Sequence, residues 1–328
     1  MFIAELRIKI MNQRQVKDVT VDAYLRSLNK TYNTLLKHAS GNSGKAMPDL
    51  KWLENVDGVI SFVRTMTNIG TQKNYITSFI VALGANGESK ALEDVYQTEL
   101  CVLKTKLDEL YADGKKTQKQ MDNMVSWHTI LKLREQLRKR VNCMMKLKNN
   151  DKTQVTKQDI MEYQEFVCLC LYTYLRPSRN DYHDTLMISN AEYNALSDED
   201  KDNHNYMVLK NRSKAFYHRA DFKTRKSHGV DIVDIPRPLL KVLWRWFEVS
   251  GQKHLLINKD GSVMNSSGLT RFLTNLFLKH INKRISSTLL RQTYLTDKYS
   301  DSVRDLRKDT LSMNNSIKVA LRHYIKMD

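Results

Sequence analysis

Apolar residues recur every three or four positions through much of the first 145 residues, which is the spacing of one face of an α-helix. One such pattern occupies residues 20–36 and stops at the glycine-containing run 41–44. Another begins at Thr71, whose hydroxyl is suited to cap the first turn of a helix, and stops at the run 84–87. Alternating strand patterns are missing from this part of the sequence, so it is predicted to be entirely helical.

Further helix is predicted over residues 91–110 and over residues 115–140, the second of these with a basic face. The polar run 146–153 then precedes Thr156, and Asp159 follows Thr156 by three positions. This spacing is typical of a capping box at the start of a helix. We therefore predict two domains joined by a linker, with the bounds 1–145, 146–155 for the linker and 156–328.

The pattern changes after Arg179, where short β-prone runs occupy 205–209, 215–217 and 230–236. They predict a small three-stranded antiparallel sheet. Helical patterns then return over 239–249, 269–281, 288–299 and 317–325. The predicted fold class is mainly α, with an N-terminal helical domain followed by an α+β domain.

Length and charge bear on the number of domains and on the kind of partner. The chain has 328 residues, enough for two domains of ordinary size with a core each. Lysine and arginine total 53 against 36 acidic residues, a formal charge of +17 that is spread along the sequence. A surplus of this kind favours a nucleic acid as the partner, although a generally basic protein without such a partner has the same composition.

The four cysteines provide neither a disulfide framework nor a zinc-binding pair of CxxC motifs. Cys168 and Cys170 lie in the apolar run 166–171, where core packing is the expected role. We therefore predict no metal and no cofactor. No window approaches the roughly 18 apolar residues of a membrane span, so the protein is predicted to be soluble, in the cytoplasm or the nucleus of the host cell, without a membrane partner.

Three segments carry side chains suited to phosphate chemistry. They are the arginine-containing turn 175–182, the segment 288–294 with Arg291, and the last helical pattern, which carries Tyr324. Metal-free cleavage of a phosphodiester needs a nucleophile, cations that stabilise the five-coordinate phosphorus, and an acid for the leaving oxygen. Taken alone, Tyr324 continues an apolar helical stripe and is better explained as a packing residue.

The order of these segments resembles the tyrosine recombinase, or phage integrase, family over essentially the whole chain. Residues 290–296 resemble its second arginine box, 313–324 its nucleophile box, and 222–226 its lysine-bearing hairpin. Segments 20–25 and 71–75 are similar to its N-terminal core-binding (SAM-like) domain, which clamps DNA. The variant arginine turn, and the lysine hairpin with its Ser227, His228 and Gly229, are closest in character to recombinases of eukaryotic DNA viruses and mobile elements.

The resemblance implies a role for each of these residues. Tyr324 attacks the scissile phosphate, Lys223 protonates the leaving oxygen, and Arg291 holds non-bridging oxygens together with an arginine of the turn. The spacing from Thr173 indicates Arg176 for that last position, whereas the variant turn indicates Arg179, which we favour. The partner would be double-stranded DNA, bound by a tetramer at the synapsis of two duplexes and by a monomer or weak oligomer otherwise.

The chain departs from the family at two positions that usually hold histidine, where it has Thr288 and Asn315. Both retain hydrogen-bonding groups, so weakened or altered acid-base assistance is expected. Two alternative functions stay open at this point: DNA relaxation of the type IB topoisomerase kind, and a catalytically weakened DNA-binding protein on the same scaffold. Four histidines, among them His228, have no metal-ligand spacing and receive no role.

Overall fold

A computed structural model describes residues 2–40, 46–112, 114–150 and 153–325. The chain divides into two compact units, Met1–Lys115 and Lys116–Asp328. This boundary differs from the predicted one, since the predicted linker 146–155 falls inside the second unit. The predicted run 41–44 lies outside the described residues.

The first unit is helical, as predicted. A central helix has a continuous buried run over residues 78–83, which is expected of a helix surrounded by neighbours on every side. The buried hydroxyl of Tyr96 donates to the carbonyl oxygen of Leu53 at 2.7 Å. The elements are α1 (Phe2–Arg14), α2 (Asp18–Ser40), a 3₁₀ turn (Lys51–Glu54), α3 (Val56–Arg64), α4 (Ile69–Asn86) and α5 (Lys90–Ala112).

The cap of α4 differs from the prediction. Its N-cap is Asn68, whose side chain accepts a hydrogen bond from the backbone N–H of Thr71, so Thr71 is already inside the helix. Asparagine and threonine are both good N-caps, and periodicity alone does not separate two candidates three residues apart. The predicted end is confirmed, because Gly87 closes the helix in the left-handed conformation at φ +70°.

The second unit contains the remaining helices and all the described strands. Its first elements are α6 (Gln118–Asn123), α7 (Trp127–Asn150), α8 (Lys157–Tyr174), β1 (Leu186–Ser189), α9 (Asn190–Ala195), α10 (Asp198–Asn203), β2 (Tyr206–Asn211) and β3 (Lys214–Arg219). The others are α11 (Arg225–His228), β4 (Asp231–Asp234), α12 (Arg237–Ser250), α13 (Ser266–Ile281), α14 (Ser287–Ser312), α15 (Ile317–Val319) and a π-helical turn (Ala320–Tyr324).

Helices α6 and α7 replace the single helix predicted over 115–140, with a break at residues 124–126. The buried stripe of α7, which includes Ile130, Leu137 and Val141, packs in the core of the second unit. This burial explains the early domain boundary, because α7 depends on that core. The polar run that suggested a linker is the end of α7 and its connection to α8.

The start of α8 confirms the predicted capping box, because the side chains of Thr156 and Asp159 each bond the other's backbone N–H. Cys168 and Cys170 are buried in its apolar run, as predicted. Gln164 is fully buried on the same helix and pairs with the backbone of Ile257 through two hydrogen bonds of 2.8 and 2.9 Å. The helix is therefore fixed to the chain segment between α12 and α13.

The sheet has four strands in the order β1-β2-β3-β4. Strands β2, β3 and β4 are antiparallel neighbours, as predicted, whereas β1 pairs with β2 in parallel and had been missed. At four residues, β1 is too short for an alternating pattern to be visible. Of the described helices, none is both long enough and apolar enough to cross a membrane.

The helices after the sheet were predicted in number and order, but α14 continues well beyond the predicted 288–299. It ends in two hydrogen bonds, from Asn314 N–H to Leu311 O and from Asn315 N–H to Thr310 O, with Asn314 at φ +54°. These bonds form a Schellman motif, which satisfies the last carbonyl groups of a helix. The final predicted helix is a short α-helical turn followed by a π-helical one.

Replacing Gln164 by alanine leaves the N–H and C=O of Ile257 unpaired and creates a void in the core of the second unit. We expect the free energy of unfolding to fall by about 3 kcal/mol, measured by urea unfolding followed through tryptophan fluorescence. Gln158→Ala on the exposed face of α8 is the matched control and should change stability by less than about 0.5 kcal/mol. Equal effects of the two substitutions would contradict the anchoring role.

Candidate active site

The turn between α8 and β1 is attached to buried tyrosines. The hydroxyl of Tyr172 donates to the carbonyl oxygen of Arg179 at 2.8 Å, and that of Tyr182 donates to Leu171 O at 3.3 Å. The two tyrosine rings meet edge to face, with centroids 5.1 Å apart. Because both rings are buried, the turn that carries Arg179 is fixed to the core and not free on the surface.

A second set of hydrogen bonds joins this turn to the loop after β3. Asn205 donates from its side chain to Asp181 O at 3.0 Å and to Asp221 O at 2.9 Å. Its side-chain oxygen accepts from the N–H groups of Ala220 and Asp221, both at 2.8 Å. Lys223 follows two residues later on that loop. One buried asparagine therefore couples the position of the arginine turn to that of the predicted lysine.

A third set joins the turn to α13 and α14. The side-chain nitrogen of Asn180 donates to Thr270 Oγ1 at 2.7 Å and to Ser266 O at 2.9 Å. Its side-chain oxygen accepts from Ser287 Oγ at 2.6 Å. Ser287 lies four residues before Arg291 on α14, and residues at that spacing share a helix face. Asn180 thus brings its neighbour Arg179 close to the face of α14 that carries Arg291.

These connections surround a cavity of about 420 Å³. Its lining includes both arginines of interest and residues from the turn, from β3, from the β3–β4 connection and from α14. The lining residues are Pro177, Ser178, Arg179, Asp181, Arg219, Phe222, Thr224, His228, Val230, Asp231 and Arg291. The cavity is thus the point at which three separate stretches of the second unit meet: the turn, the stretch from β3 to the start of β4, and α14.

The three arginines of the cavity are not equivalent. Arg219 bonds Asp181 at 3.2 Å and also Asp231, and its guanidinium lies over the ring of Phe222. For Arg179 and Arg291 the described residues provide neither a side-chain hydrogen bond nor a salt bridge. Two guanidinium groups without partners in one cavity are the arrangement that an anionic ligand would complete.

Burial raises the pKa of the Asp181 carboxyl, and the nearby Arg219 and Arg179 oppose this shift. Burial alone would lower the pKa of the Arg219 guanidinium, but its pairing with Asp231 and Asp181 raises it instead. Arg219 therefore remains charged and is committed to its two carboxylates. Its part is structural, and the cations available to a ligand are Arg179 and Arg291.

The chain is similar to solved recombinases. A XerH site-specific recombinase bound to its difH substrate, in a pre-cleavage complex, matches with 14% identity over 99% of this chain and 90% of that one, at a TM-score of 0.37. A Tn1549 transposon integrase in complex with transposon right-end DNA matches with 13% identity over 99% of this chain and 95% of that one, at a TM-score of 0.43. XerA recombinase matches with 10% identity over 92% of this chain and 84% of that one, at a TM-score of 0.32.

These three are among 27 chains of solved structures that match. No protein-family model matches the chain, and neither does any curated protein.

The predicted site residues are only partly brought together. Arg179 and Arg291 line the same cavity, whereas Arg176 is not part of the lining. Lys223 is exposed between two lining residues, Phe222 and Thr224, which places it at the edge of the cavity. The geometry therefore supports Arg179 over Arg176.

The other three predicted residues are not among those that line the cavity. Thr288 is exposed in the first turn of α14, and Asn315 is half-buried in the connection after α14. Tyr324 ends the π-helical turn and is 67% exposed. Its hydroxyl is accessible, and the described residues place no contact between it and either arginine.

Residues that sequence reasoning missed are those that position the arginines: Asn180, Asn205, Arg219 and Asp231. Asn180 was visible only as part of the arginine turn, and nothing in the sequence indicates that Asn205 lies beside it. His228 was noted as part of the lysine hairpin and was given no role in the chemistry, yet it lines the cavity. Short-range patterns carry no signal for contacts of this kind, because their partners are distant in the sequence.

Inorganic phosphate should bind in this cavity and raise the melting temperature in a concentration-dependent manner, relative to chloride at equal ionic strength. Arg179→Ala and Arg291→Ala should each weaken phosphate binding roughly tenfold or more, because each removes a charge-assisted pair of hydrogen bonds. Arg176→Ala is the matched control from the same turn and should bind as the wild type does. Loss of binding in Arg176→Ala alone would reverse the assignment of the two arginines.

Proposed function

We propose that this chain is a site-specific DNA recombinase or integrase. It would cleave and rejoin DNA through a 3′-phosphotyrosyl intermediate, with neither metal nor ATP. The observation that supports this most directly is the pair of unpartnered guanidinium groups, Arg179 and Arg291, in one cavity at whose edge Lys223 lies. Two of the required cations thus line one cavity, and Lys223 lies in the chain between two of its lining residues, although the three come from different segments of the sequence.

In this proposal Arg179 and Arg291 hold the two non-bridging oxygens of the scissile phosphate. A guanidinium group donates two parallel hydrogen bonds and stays protonated, so it can stabilise the added charge of the five-coordinate transition state. The fixed turn and α14 supply this stabilisation with little reorganisation. Electrostatic stabilisation of this type is commonly the largest single contribution to catalysis.

Lys223 is the proposed general acid for the leaving 5′-oxygen. Asn205 bonds both the loop of Lys223 and the arginine turn, so the backbone positions of Lys223 and Arg179 are fixed relative to each other. The proton from the lysine ammonium group would leave a neutral 5′-hydroxyl on the departing strand. This assignment follows from position, since the exposed side chain is free to extend over the edge of the cavity.

Tyr324 is the proposed nucleophile. Its phenolic oxygen would lose its proton to solvent water and form a bond to phosphorus as the bond from phosphorus to the 5′-oxygen breaks, which gives a 3′-phosphotyrosyl ester. This ester retains the energy of the phosphodiester, so a second 5′-hydroxyl can reverse the reaction without ATP. The C-terminal segment would have to deliver Tyr324 to the cavity of its own protomer or to that of another.

Double-stranded DNA is the proposed partner, in keeping with the charge of +17. The helical first unit would serve as the second DNA-binding element. A tetramer on two duplexes is the assembly that recombination would need, and a monomer or weak oligomer would precede it. The place of action would be the cytoplasm or nucleus of the host cell.

A catalytically weakened DNA-binding protein is the second candidate function, and the positions of Thr288 and Asn315 favour it. Neither residue lines the cavity, so neither replaces the missing histidines there. DNA relaxation of the type IB topoisomerase kind would use the same tyrosine, lysine and arginines. Joining two duplexes in one assembly would separate recombination from relaxation of a single supercoiled plasmid.

With a nicked suicide substrate taken from the junctions of the element that encodes the protein, the wild type should form a covalent protein–DNA adduct. Tyr324→Phe should form none, because the nucleophilic oxygen is removed, while DNA binding persists. Tyr111→Phe is the matched control, since Tyr111 is 65% exposed and Tyr324 is 67% exposed. An adduct that persists in Tyr324→Phe, measured by denaturing gel electrophoresis, would exclude this nucleophile.

Lys223→Ala should slow cleavage of ordinary DNA by roughly 100-fold or more, the usual contribution of a general acid. A substrate with sulfur at the bridging 5′ position should be cleaved by this variant nearly as fast as by the wild type, because a thiolate leaves without a proton. Lys226→Ala, on the neighbouring α11, is the control and should behave as the wild type with both substrates. Equal slowing with both substrates would assign Lys223 to binding instead.

A further inference from the structure

His228 is the one residue of the cavity lining that is a histidine, and it is the last residue of α11. Gly229 follows at φ +72°, which turns the chain so that Val230 and Asp231 continue the same wall. Among the described residues, none forms a hydrogen bond or ion pair with the His228 imidazole. The ring is therefore available to a ligand that the two arginines attract.

The charge of the cavity shows what such a ring would add. Arg219 and its two carboxylates, Asp181 and Asp231, together carry one negative charge. Arg179 and Arg291 contribute two positive charges, so the lining has a formal charge of +1 with a neutral imidazole. A phosphodiester carries one negative charge, but its five-coordinate transition state carries two. One further positive charge in the lining would balance the transition state.

We infer that His228 is a third ligand of the phosphate in this cavity, and that its protonated ring donates a hydrogen bond to a non-bridging oxygen. The inference rests on the proposed function for its catalytic consequence, although binding of a phosphodiester can be measured without it. His228 would supply from the β3–β4 connection the charge that Thr288 and Asn315 do not supply. It would act on the reacting phosphate itself.

The other charged groups of the lining are not expected to gain or lose a proton near neutral pH. Arginine side chains in general remain protonated there. Asp231 on β4 and Asp181 on the turn are both paired with Arg219. Burial raises the pKa of Asp181, so its protonation would also make the cavity more positive at acid pH. The test must therefore separate a histidine from this carboxyl.

Dimethyl phosphate is the probe, because it is a phosphodiester whose single charge is constant over the range in which imidazole titrates. Binding to the full chain is followed by NMR of the histidine ring resonances and by titration at about pH 5.5 and about pH 8. The wild type should show a shift of the His228 resonances and roughly tenfold tighter binding at the lower pH, the usual effect of a charge-assisted hydrogen bond.

His228→Gln keeps a hydrogen-bond donor without the charge, so its affinity should be the same at both pH values and near that of the wild type at the higher one. His228→Ala should bind dimethyl phosphate no more tightly than His228→Gln does. His128→Gln, at an exposed position on α7, is the matched control and should keep the full pH dependence. Asp181→Asn should also keep the pH dependence, because this variant removes the carboxyl group that could otherwise explain it. If His228→Gln retains the pH dependence or the His228 resonances do not respond, the inference is wrong.

The suicide substrate distinguishes this inference from the proposed function. Adduct formation by the wild type that falls roughly tenfold in His228→Gln at low pH, and much less at high pH, supports both. Equal adduct formation by the two proteins at every pH overturns the role of His228 and leaves the recombinase proposal standing. Dimethyl phosphate binding that depends on His228 in a protein that forms no adduct supports the ligand and overturns the enzyme.

Discussion

The carbonyl oxygen of Asp181 accepts hydrogen bonds from three buried side chains: Tyr217 at 2.7 Å, Asn205 at 3.0 Å and Thr185 at 3.3 Å. A buried carbonyl group without partners costs about 1 to 3 kcal/mol, so this oxygen strongly favours the one turn geometry that satisfies it. That geometry sets the direction of the preceding residues, Arg179 and Asn180. The rest of the candidate site is arranged around this turn.

The same network explains how two arginines stay unpaired beside two carboxylates. Arg219 occupies both Asp181 and Asp231, so neither is available to neutralise Arg179 or Arg291. Arg219 thus pairs with both carboxylates, and Arg179 and Arg291 are left without a side-chain partner. The hydrogen bonds of Asn180 and Asn205 help to offset the repulsion between these cations.

Local signals account for what could be predicted. The 3.6-residue period located the helices, and the pair Thr156 and Asp159 located a helix start, since both depend on neighbours in the sequence. Strand β1 was missed because it depends on a parallel pairing with β2. The predicted linker differs from the division of the chain after Lys115 because α7 is buried in the core of the second unit. The order of arginine and lysine segments predicted a phosphate site, and the variant turn already favoured Arg179 over Arg176. The bonds made by the neighbouring Asn180 could not be predicted, because their partners are distant in the sequence.

The position of Tyr324 outside the cavity has a physical explanation within the proposed reaction. The Schellman motif at Asn314 ends α14 firmly, and Ser316 then begins a new short helix by capping it, with Val319 N–H as the donor. In this helix and the π-helical turn after it, the one fully buried side chain is the methyl group of Ala320, at 5% exposure. Burial of this methyl group and partial burial of Ile317 together contribute about 1 to 3 kcal/mol, which is small for a segment that carries a nucleophile. Contacts with bound DNA can exceed that amount easily, and the nucleophile would then reach the phosphate only when the substrate is present.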